Sequence, residues 1–211
     1  MVDSLVYGAF VTAAVGCFSI SSMYHLLGPS NKLLFKRLQA LDLTSILLLI
    51  LFSYIPPIYV AFSCEDHQTL RAIYISLITA LVVSMLALSA CLPSWNSDAF
   101  DRIRSSAYAL IVLFAMVPAF HWAVVVPTSE AYFGLSRLLI GLIAYSIGFI
   151  AYMAKIPERY TSWNGIAFVG SSHNIWHIMT AFGTFWLLRS LIEYHDFKTM
   201  HGCRSTAIYR Y

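Results

Sequence analysis

Six long stretches of this sequence contain no aspartate, glutamate, lysine or arginine, and this feature limits the possible folds most strongly. The stretches cover residues 4–31, 43–64, 72–97, 105–129, 138–154 and 160–188. A helix needs about 20 residues to cross the hydrocarbon core of a bilayer, with a tolerated range of about 17 to 25. Backbone groups in lipid must be hydrogen-bonded internally, which selects helices. Each stretch is therefore predicted to hold one membrane-spanning helix.

The composition supports a protein whose solvent is a bilayer. Of 211 residues, 59% are hydrophobic and 11% are charged, which differs from the average soluble domain. The net charge of +3 comes from basic residues spread between the apolar stretches, so no nucleic-acid partner is expected. We predict an all-α, polytopic transmembrane bundle over residues 1–195 and a flexible, non-cytoplasmic tail over 196–211. The predicted spans lie near residues 4–27, 41–62, 70–92, 104–126, 133–154 and 171–191.

The distribution of lysine and arginine predicts the orientation. One set of inter-helix loops carries most of the basic residues, and these are Lys32, Lys36, Arg37, Arg102, Arg104, Lys155 and Arg159. The opposite loops hold only Arg71 and Arg137 near their edges. Cytoplasmic loops are enriched in basic residues, so the first set is predicted to face the cytoplasm and both chain ends the other side. A multi-pass protein of this kind fits the plasma membrane or an endomembrane such as the Golgi or the endoplasmic reticulum.

Four polar residues are predicted to lie at one depth, near the cytoplasmic surface. His25 is near the end of the first helix, Asp42 is at the start of the second, and His173 and His177 are at the start of the sixth. The two later histidines are spaced i, i+4, so both imidazoles project from one helix face. Ser21 has the same spacing from His25. Ionisable groups inside a membrane are costly, which makes these residues functional candidates.

Their chemistry predicts a zinc site. Three neutral imidazoles, from His25, His173 and His177, suit Zn²⁺ and leave the fourth position open, as in catalytic sites. Asp42 is the candidate to accept a proton from the water in that position, and Ser21 is the candidate to orient the water or the carboxylate. His121 lies at the far end of its predicted helix and is not expected to be a ligand.

Simpler interpretations compete with this one. A single intramembrane histidine is often a hydrogen-bonded packing residue. Asp42 could instead favour the positive amino-terminal end of its helix, and the Ser21 hydroxyl could bond within its own helix. For Gly141, Ala144, Gly148 and Ala151, close helix packing is the preferred interpretation. Proline is expected to kink the second helix at 56–57 and the fourth at Pro118.

Several short motifs together resemble the progestin and adipoQ receptor family, which includes the adiponectin receptors. The resemblance covers nearly the whole chain. The motifs are Ser21-x3-His25, Asp42 in Leu41-Asp42-Leu43-Thr44, Phe52-Ser53-Tyr54-Ile55-Pro56, Val117-Pro118-Ala119-Phe120-His121, Ile156-Pro157-Glu158-Arg159-Tyr160 and Ser172-His173-x3-His177. The resemblance implies seven spans in full-length members, with this sequence beginning at what corresponds to the second.

The resemblance also implies functions. It implies that His25, His173 and His177 bind zinc, that Asp42 contacts the zinc-bound water, and that the protein takes part in lipid metabolism. Ceramidase-like amide hydrolysis has been proposed for adiponectin receptors. The first hypothesis is thus a receptor-like hydrolase with a lipid substrate such as ceramide. The alternative is a non-catalytic receptor for an extracellular ligand with a structural zinc ion. A transporter is disfavoured, because the sequence has no inverted repeat.

Overall fold

The computed structural model describes residues 2–92, 98–160 and 170–203, and these residues form helices joined by short connections. The helices are α1 (Val2–Leu27), α2 (Lys32–Ala61), α3 (Gln68–Cys91), α4 (Asp101–Leu113), α5 (Met116–Val125), α6 (Thr128–Ala154) and α7 (Ser172–His201). Short 3-10 helices cover Gly28–Ser30, Glu65–His67, Asp98–Phe100 and Glu158–Tyr160. Within these described ranges, six segments are long and apolar enough to cross a membrane, with α4 and α5 forming one of them. The predicted all-α, six-span fold is confirmed.

Helices α2 and α7 extend furthest beyond the bounds that the sequence indicated. Helix α2 begins at Lys32 rather than near residue 41, because the Asn31 side chain accepts hydrogen bonds from the N–H groups of Leu33 (2.8 Å) and Leu34 (3.2 Å). Helix α7 continues to His201, so the first residues of the predicted 196–211 tail are helical. Residues 204–211 of that tail lie outside the described part of the chain.

The chain divides into two compact units, Met1–Pro118 and Ala119–Tyr211. In the first unit, α2 packs against both α1 and α3. Its core contains the buried side chains of Phe10, Leu47, Ile58, Ile78 and Val82. Helix α2 is the most buried of the three spans, which agrees with its position between two partners.

The break between α4 and α5 has a local cause. Pro118 has no N–H and its ring clashes with the carbonyl four residues earlier, so a helix is interrupted before it. Phe114 is that earlier residue, and α4 ends just before it, at Leu113. The Tyr54 hydroxyl, from α2, donates hydrogen bonds to the backbone oxygens of Ile111 and Val112 in the last turn of α4. The kink expected at Pro118 is thus an interruption between two helices, and α2 is continuous through the prolines at 56 and 57, where a kink was expected.

In the second unit, α6 and α7 lie antiparallel and in close contact. The residues of α6 that permit this contact are buried, and they are Gly141, Ala144, Gly148 and Ala151. A Cβ atom placed on Gly148 would lie 2.8 Å from Met179 Cβ, and one on Gly141 would lie 3.6 Å from the Gly183 oxygen. The predicted close-packing face is confirmed. The other face of α6 exposes Ile140, Ile143, Ile147 and Ile150, as expected for a helix that meets lipid.

Candidate metal centre

The first turns of α7 hold two of the predicted zinc ligands. The helix begins after Ser171, whose hydroxyl oxygen accepts the N–H of Asn174 at 3.2 Å and caps the helix. The i, i+4 spacing then places His173 and His177 side by side, with their ring centres 4.6 Å apart. Their Nε2 atoms are 3.0 Å apart, and both residues are half-buried. The sequence thus predicted correctly that these two rings share one face of the helix.

The distance between the two Nε2 atoms can be compared with the distance between two nitrogen ligands of one zinc ion. Zn–N bonds of about 2.0–2.1 Å at a tetrahedral angle place two nitrogens about 3.4 Å apart. The observed 3.0 Å lies close to that value, so a small rotation of either ring fits a shared cation. The same distance suits a hydrogen bond in which one Nε2 donates to the other. The histidine pair is therefore compatible with zinc, and without zinc its two Nε2 atoms can hydrogen-bond to each other.

The rings are supported by α6. Tyr152 lies against His173, with ring centres 5.6 Å apart, and also against Trp176, at 6.2 Å. Trp176 and Met179 pack directly on Gly148. The small residues of α6 thus allow the start of α7 to approach closely and restrict the positions of the histidine side chains.

Glu158 holds the start of α7 in place. Its Oε1 accepts hydrogen bonds from the Ser172 N–H at 2.7 Å and from the Ser172 hydroxyl at 2.9 Å. Burial acts to raise the pKa of Glu158, but hydrogen bonds from its own backbone and from Ser172, with the charge of Lys155, outweigh burial and lower that pKa. A carboxylate at a helix amino terminus also interacts favourably with the helix dipole. From the sequence, Glu158 is recognisable only as part of a motif, because its partner lies 14 residues away.

In the first unit, Ser21 and His25 lie on α1 and Asp42 lies on α2, against which α1 packs. The Ser21 and His25 side chains lie near the Asp42 carboxyl group. Ser21 is 5% exposed and Asp42 is 8% exposed, whereas His25 is exposed near the end of its helix. Within this unit, the structure therefore brings together the three predicted residues.

The buried oxygens of this group are incompletely satisfied. Ser21 Oγ and Asp42 Oδ1 have no hydrogen-bond partner among the described residues. A buried carboxylate without a full set of partners is costly, which favours a role in binding or catalysis. The hydroxyl of Ser45, which the sequence analysis did not identify, donates to the Asp42 backbone oxygen at 2.7 Å and lies beside Cys17. In the sequence, its position one turn after Asp42 on α2 is the feature that could have indicated Ser45 as a neighbour of the site.

His121 provides a contrast within the second unit. It lies on α5, next to Trp122, whose indole nitrogen donates to the Tyr194 hydroxyl at 3.2 Å. Tyr194 follows His177 by 17 residues of α7, a distance of about 26 Å along the helix. His121 therefore lies near the end of α7 opposite the histidine pair, as the sequence analysis expected.

The six spans and their lipid-compatible faces define an integral, multi-pass membrane protein of the helical class. The chain matches the Haemolysin-III-related family over residues 1–188, and it belongs to that family. The resemblance to progestin and adipoQ receptors is confirmed by curated relatives with those names, and the protein is adiponectin receptor-like.

Three relatives illustrate the similarity. The chain is 33% identical to heptahelical transmembrane protein ADIPOR2 of Oryza sativa subsp. japonica, covering 82% of this chain and 75% of that protein. It is 27% identical to the adiponectin receptor protein of Drosophila melanogaster, covering 94% and 43%. It is 24% identical to progestin and adipoQ receptor family member 3 of Mus musculus, covering 89% and 60%. The chain therefore spans less than two thirds of the fly and mouse proteins.

Proposed function

We propose that His25, His173 and His177 bind Zn²⁺ and that the protein hydrolyses a lipid amide such as ceramide. The observation that carries the proposal is the 3.0 Å separation of the His173 and His177 Nε2 atoms, which fits two ligands of one cation. The buried, incompletely satisfied group of Ser21 and Asp42 supports it. His25 enters as a ligand through the predicted depth that it shares with His173 and His177 and through the family resemblance.

The side chains of the proposed zinc site have different roles in this reaction. A zinc ion bound by three imidazoles supplies Lewis acidity and lowers the pKa of water toward about 7. Asp42 takes up a proton from the attacking water at Oδ1, the oxygen that has no hydrogen-bond partner among the described residues, and returns it to the leaving amine nitrogen as the amide C–N bond breaks. Ser21 donates a hydrogen bond that orients the carboxylate or the water. Burial of Asp42 keeps bulk water away from this proton transfer and strengthens its electrostatic interactions.

The proposed substrate class follows from the surroundings. The helices expose large apolar side chains along most of their length, so an acyl chain can approach the protein from within the bilayer. The histidine pair lies in the first two turns of α7, at one end of a span, where the polar linkage of a lipid also lies. The fly relative is named an adiponectin receptor, and the proposal therefore includes an extracellular ligand and signalling linked to lipid metabolism. The proposed location is the plasma membrane or an endomembrane such as the Golgi or the endoplasmic reticulum.

Metal analysis of the purified protein tests the zinc ligands. We expect zinc in the wild-type protein and its loss in His25→Ala and His177→Ala. His121→Ala is the matched control and is expected to retain zinc, because it removes an imidazole from the other end of the second unit. Unchanged zinc content in both ligand variants would reject the proposed site.

Release of fatty acid from ceramide tests the chemistry. Asp42→Asn is expected to retain zinc and the folded state while losing activity by about 100-fold or more, as for a general base. Absence of ceramide hydrolysis by the zinc-loaded wild-type protein would reject this activity. Retained hydrolysis in Asp42→Asn would reject the role of Asp42, and an inactive protein with tightly bound zinc would favour a non-catalytic receptor.

A further inference from the structure

Two arginines and one glutamate form a cluster between α6 and α7, away from the histidine pair. Arg137 Nε is 2.6 Å from Glu193 Oε2, and Arg189 Nε is 3.0 Å from Glu193 Oε1. Arg137 also stacks over the Phe133 ring, 3.7 Å from its centre, and donates to the Phe133 backbone oxygen at 3.4 Å. One carboxylate is thus shared by two guanidinium groups, which leaves a local charge of +1.

Only part of the N–H groups of Arg189 donate hydrogen bonds within the described residues. Its Nε donates to Glu193, and its terminal nitrogens have no hydrogen-bond partner among the described residues. Its side chain is 62% exposed, compared with 32% for Arg137. An exposed guanidinium with unused N–H groups can make paired hydrogen bonds to a phosphate.

The surface around Arg189 faces lipid. Phe185 and Ile192, one turn before and one turn after it on α7, are 62% and 50% exposed. On α6, Ile140 is exposed one turn from Arg137. A soluble protein would rarely present such a stripe to water, but the described part of the chain has six segments suited to span a membrane. Arg189 is therefore expected to lie on a lipid-facing side of α7, and Arg137 lies beside it at the contact between α6 and α7.

The depth of the cluster matches a membrane boundary. Arg189 follows His173 by 16 residues of α7, which is about 24 Å along the helix, and the hydrocarbon core is about 30 Å thick. With the histidine pair near one surface, the arginines lie near the other. Trp186, whose indole nitrogen donates to the Arg137 backbone oxygen at 3.0 Å, is at the same level, and tryptophan is enriched at membrane interfaces.

We propose that Arg137 and Arg189 bind the phosphate group of a membrane phospholipid in the leaflet at the His201 end of α7. The excess positive charge favours an anionic lipid, such as phosphatidylglycerol, over the zwitterionic phosphatidylcholine. The acyl chains lie along the exposed side chains of Phe185 and Ile192. Glu193 positions both guanidinium groups and also reduces their net charge.

Native mass spectrometry of the full chain, purified with equal amounts of phosphatidylglycerol and phosphatidylcholine, tests this site. We expect bound phosphatidylglycerol on the wild-type protein and about a tenfold lower affinity in Arg189→Gln, as for the loss of a charged hydrogen bond. Arg137→Gln is also expected to lower the affinity for phosphatidylglycerol. Arg102→Gln is the matched control, because it removes one exposed arginine from α4, and it should leave the bound lipid unchanged.

Glu193→Gln separates lipid binding from a purely structural role. This variant keeps both arginines and removes the competing negative charge, so we expect equal or greater lipid binding. Equal losses in Glu193→Gln and Arg189→Gln, or unchanged binding in both arginine variants, would overturn the proposal. Inorganic phosphate at millimolar concentration is not expected to displace the lipid, and displacement would indicate a site for free phosphate instead.

Discussion

Glu130 and Lys198 form a buried ion pair, with Glu130 Oε1 2.9 Å from Lys198 Nζ and side chains 5% and 8% exposed. The same carboxylate oxygen accepts a hydrogen bond from the Tyr194 hydroxyl at 2.6 Å. Tyr194 in turn accepts from the Trp122 indole, so α5, α6 and α7 meet in one polar network. The network lies at the His201 end of the second unit, beyond the arginine cluster along α7.

Loss of one partner from this pair should destabilise the protein strongly. Lys198→Met leaves the Glu130 carboxylate buried without its cation, and breaking a buried pair in this way costs about 3–5 kcal/mol. The double variant Glu130→Gln/Lys198→Met removes both charges, and Gln still accepts from Tyr194, so most of that loss should be recovered. Denaturant unfolding in detergent measures the difference. Arg189→Gln, which breaks an exposed pair, is the control and should cost less than about 1 kcal/mol.

Gly148 is expected to tolerate no side chain. A Cβ atom there would lie 2.8 Å from Met179 Cβ and 3.3 Å from the Trp176 ring, so Gly148→Ala must separate α6 from α7. We expect a loss of about 1–3 kcal/mol, typical of overpacking. Gly8→Ala in α1 has no atom within 4 Å of the new Cβ and should be neutral or slightly stabilising, because alanine favours helices. Equal thermal stabilities of the two variants would contradict the close-packing interpretation.

Glu158 should make the stability of the second unit depend on pH at acid values. Its pKa is lowered below its ordinary value of 4.5 in the folded protein, so the ionised form stabilises the fold. This contribution is present above pH 4.5 and is lost as the pH falls through the lower, folded-state pKa. Glu158→Gln should therefore melt at a lower temperature than wild type at pH 7, and the difference should shrink at acid pH. A difference in melting temperature that stays constant with pH would show that the ionised Glu158 carboxylate is not the cause. Ser171→Ala, which removes the neighbouring helix cap, serves as a control whose effect should not depend on pH.

Removal of zinc should destabilise the wild-type protein if the proposed site is correct. A metal that binds only the folded state stabilises it, so a chelator is expected to lower the unfolding temperature. The chelator should have no such effect on His177→Ala, which lacks a proposed ligand. His121→Ala should respond like wild type. Equal chelator effects on wild type and His177→Ala would place any metal elsewhere.

The sequence by itself determined the number and approximate positions of the membrane spans. Span length, the absence of charge and the effect of Pro118 are local properties, and they act within one helix regardless of its neighbours. The proximity of His173 and His177 was predictable for the same reason, because i, i+4 residues share a helix face. The start of α2 and the end of α7 were less predictable, because these helices continue into polar residues beyond the apolar stretch from which each span was predicted.

Only the tertiary structure decided which distant residues became partners. Lys198 lies within the predicted tail over 196–211, yet it pairs with Glu130, 68 residues away, and Glu158 reaches Ser172 across a connection between helices. These pairings depend on the relative position of α6 and α7, which Gly141, Gly148 and Gly183 set by allowing close approach. The burial of Asp42 likewise depends on tertiary packing, here of α2 against α1. Helix formation follows from local sequence, whereas register between helices depends on the fit of many side chains at once.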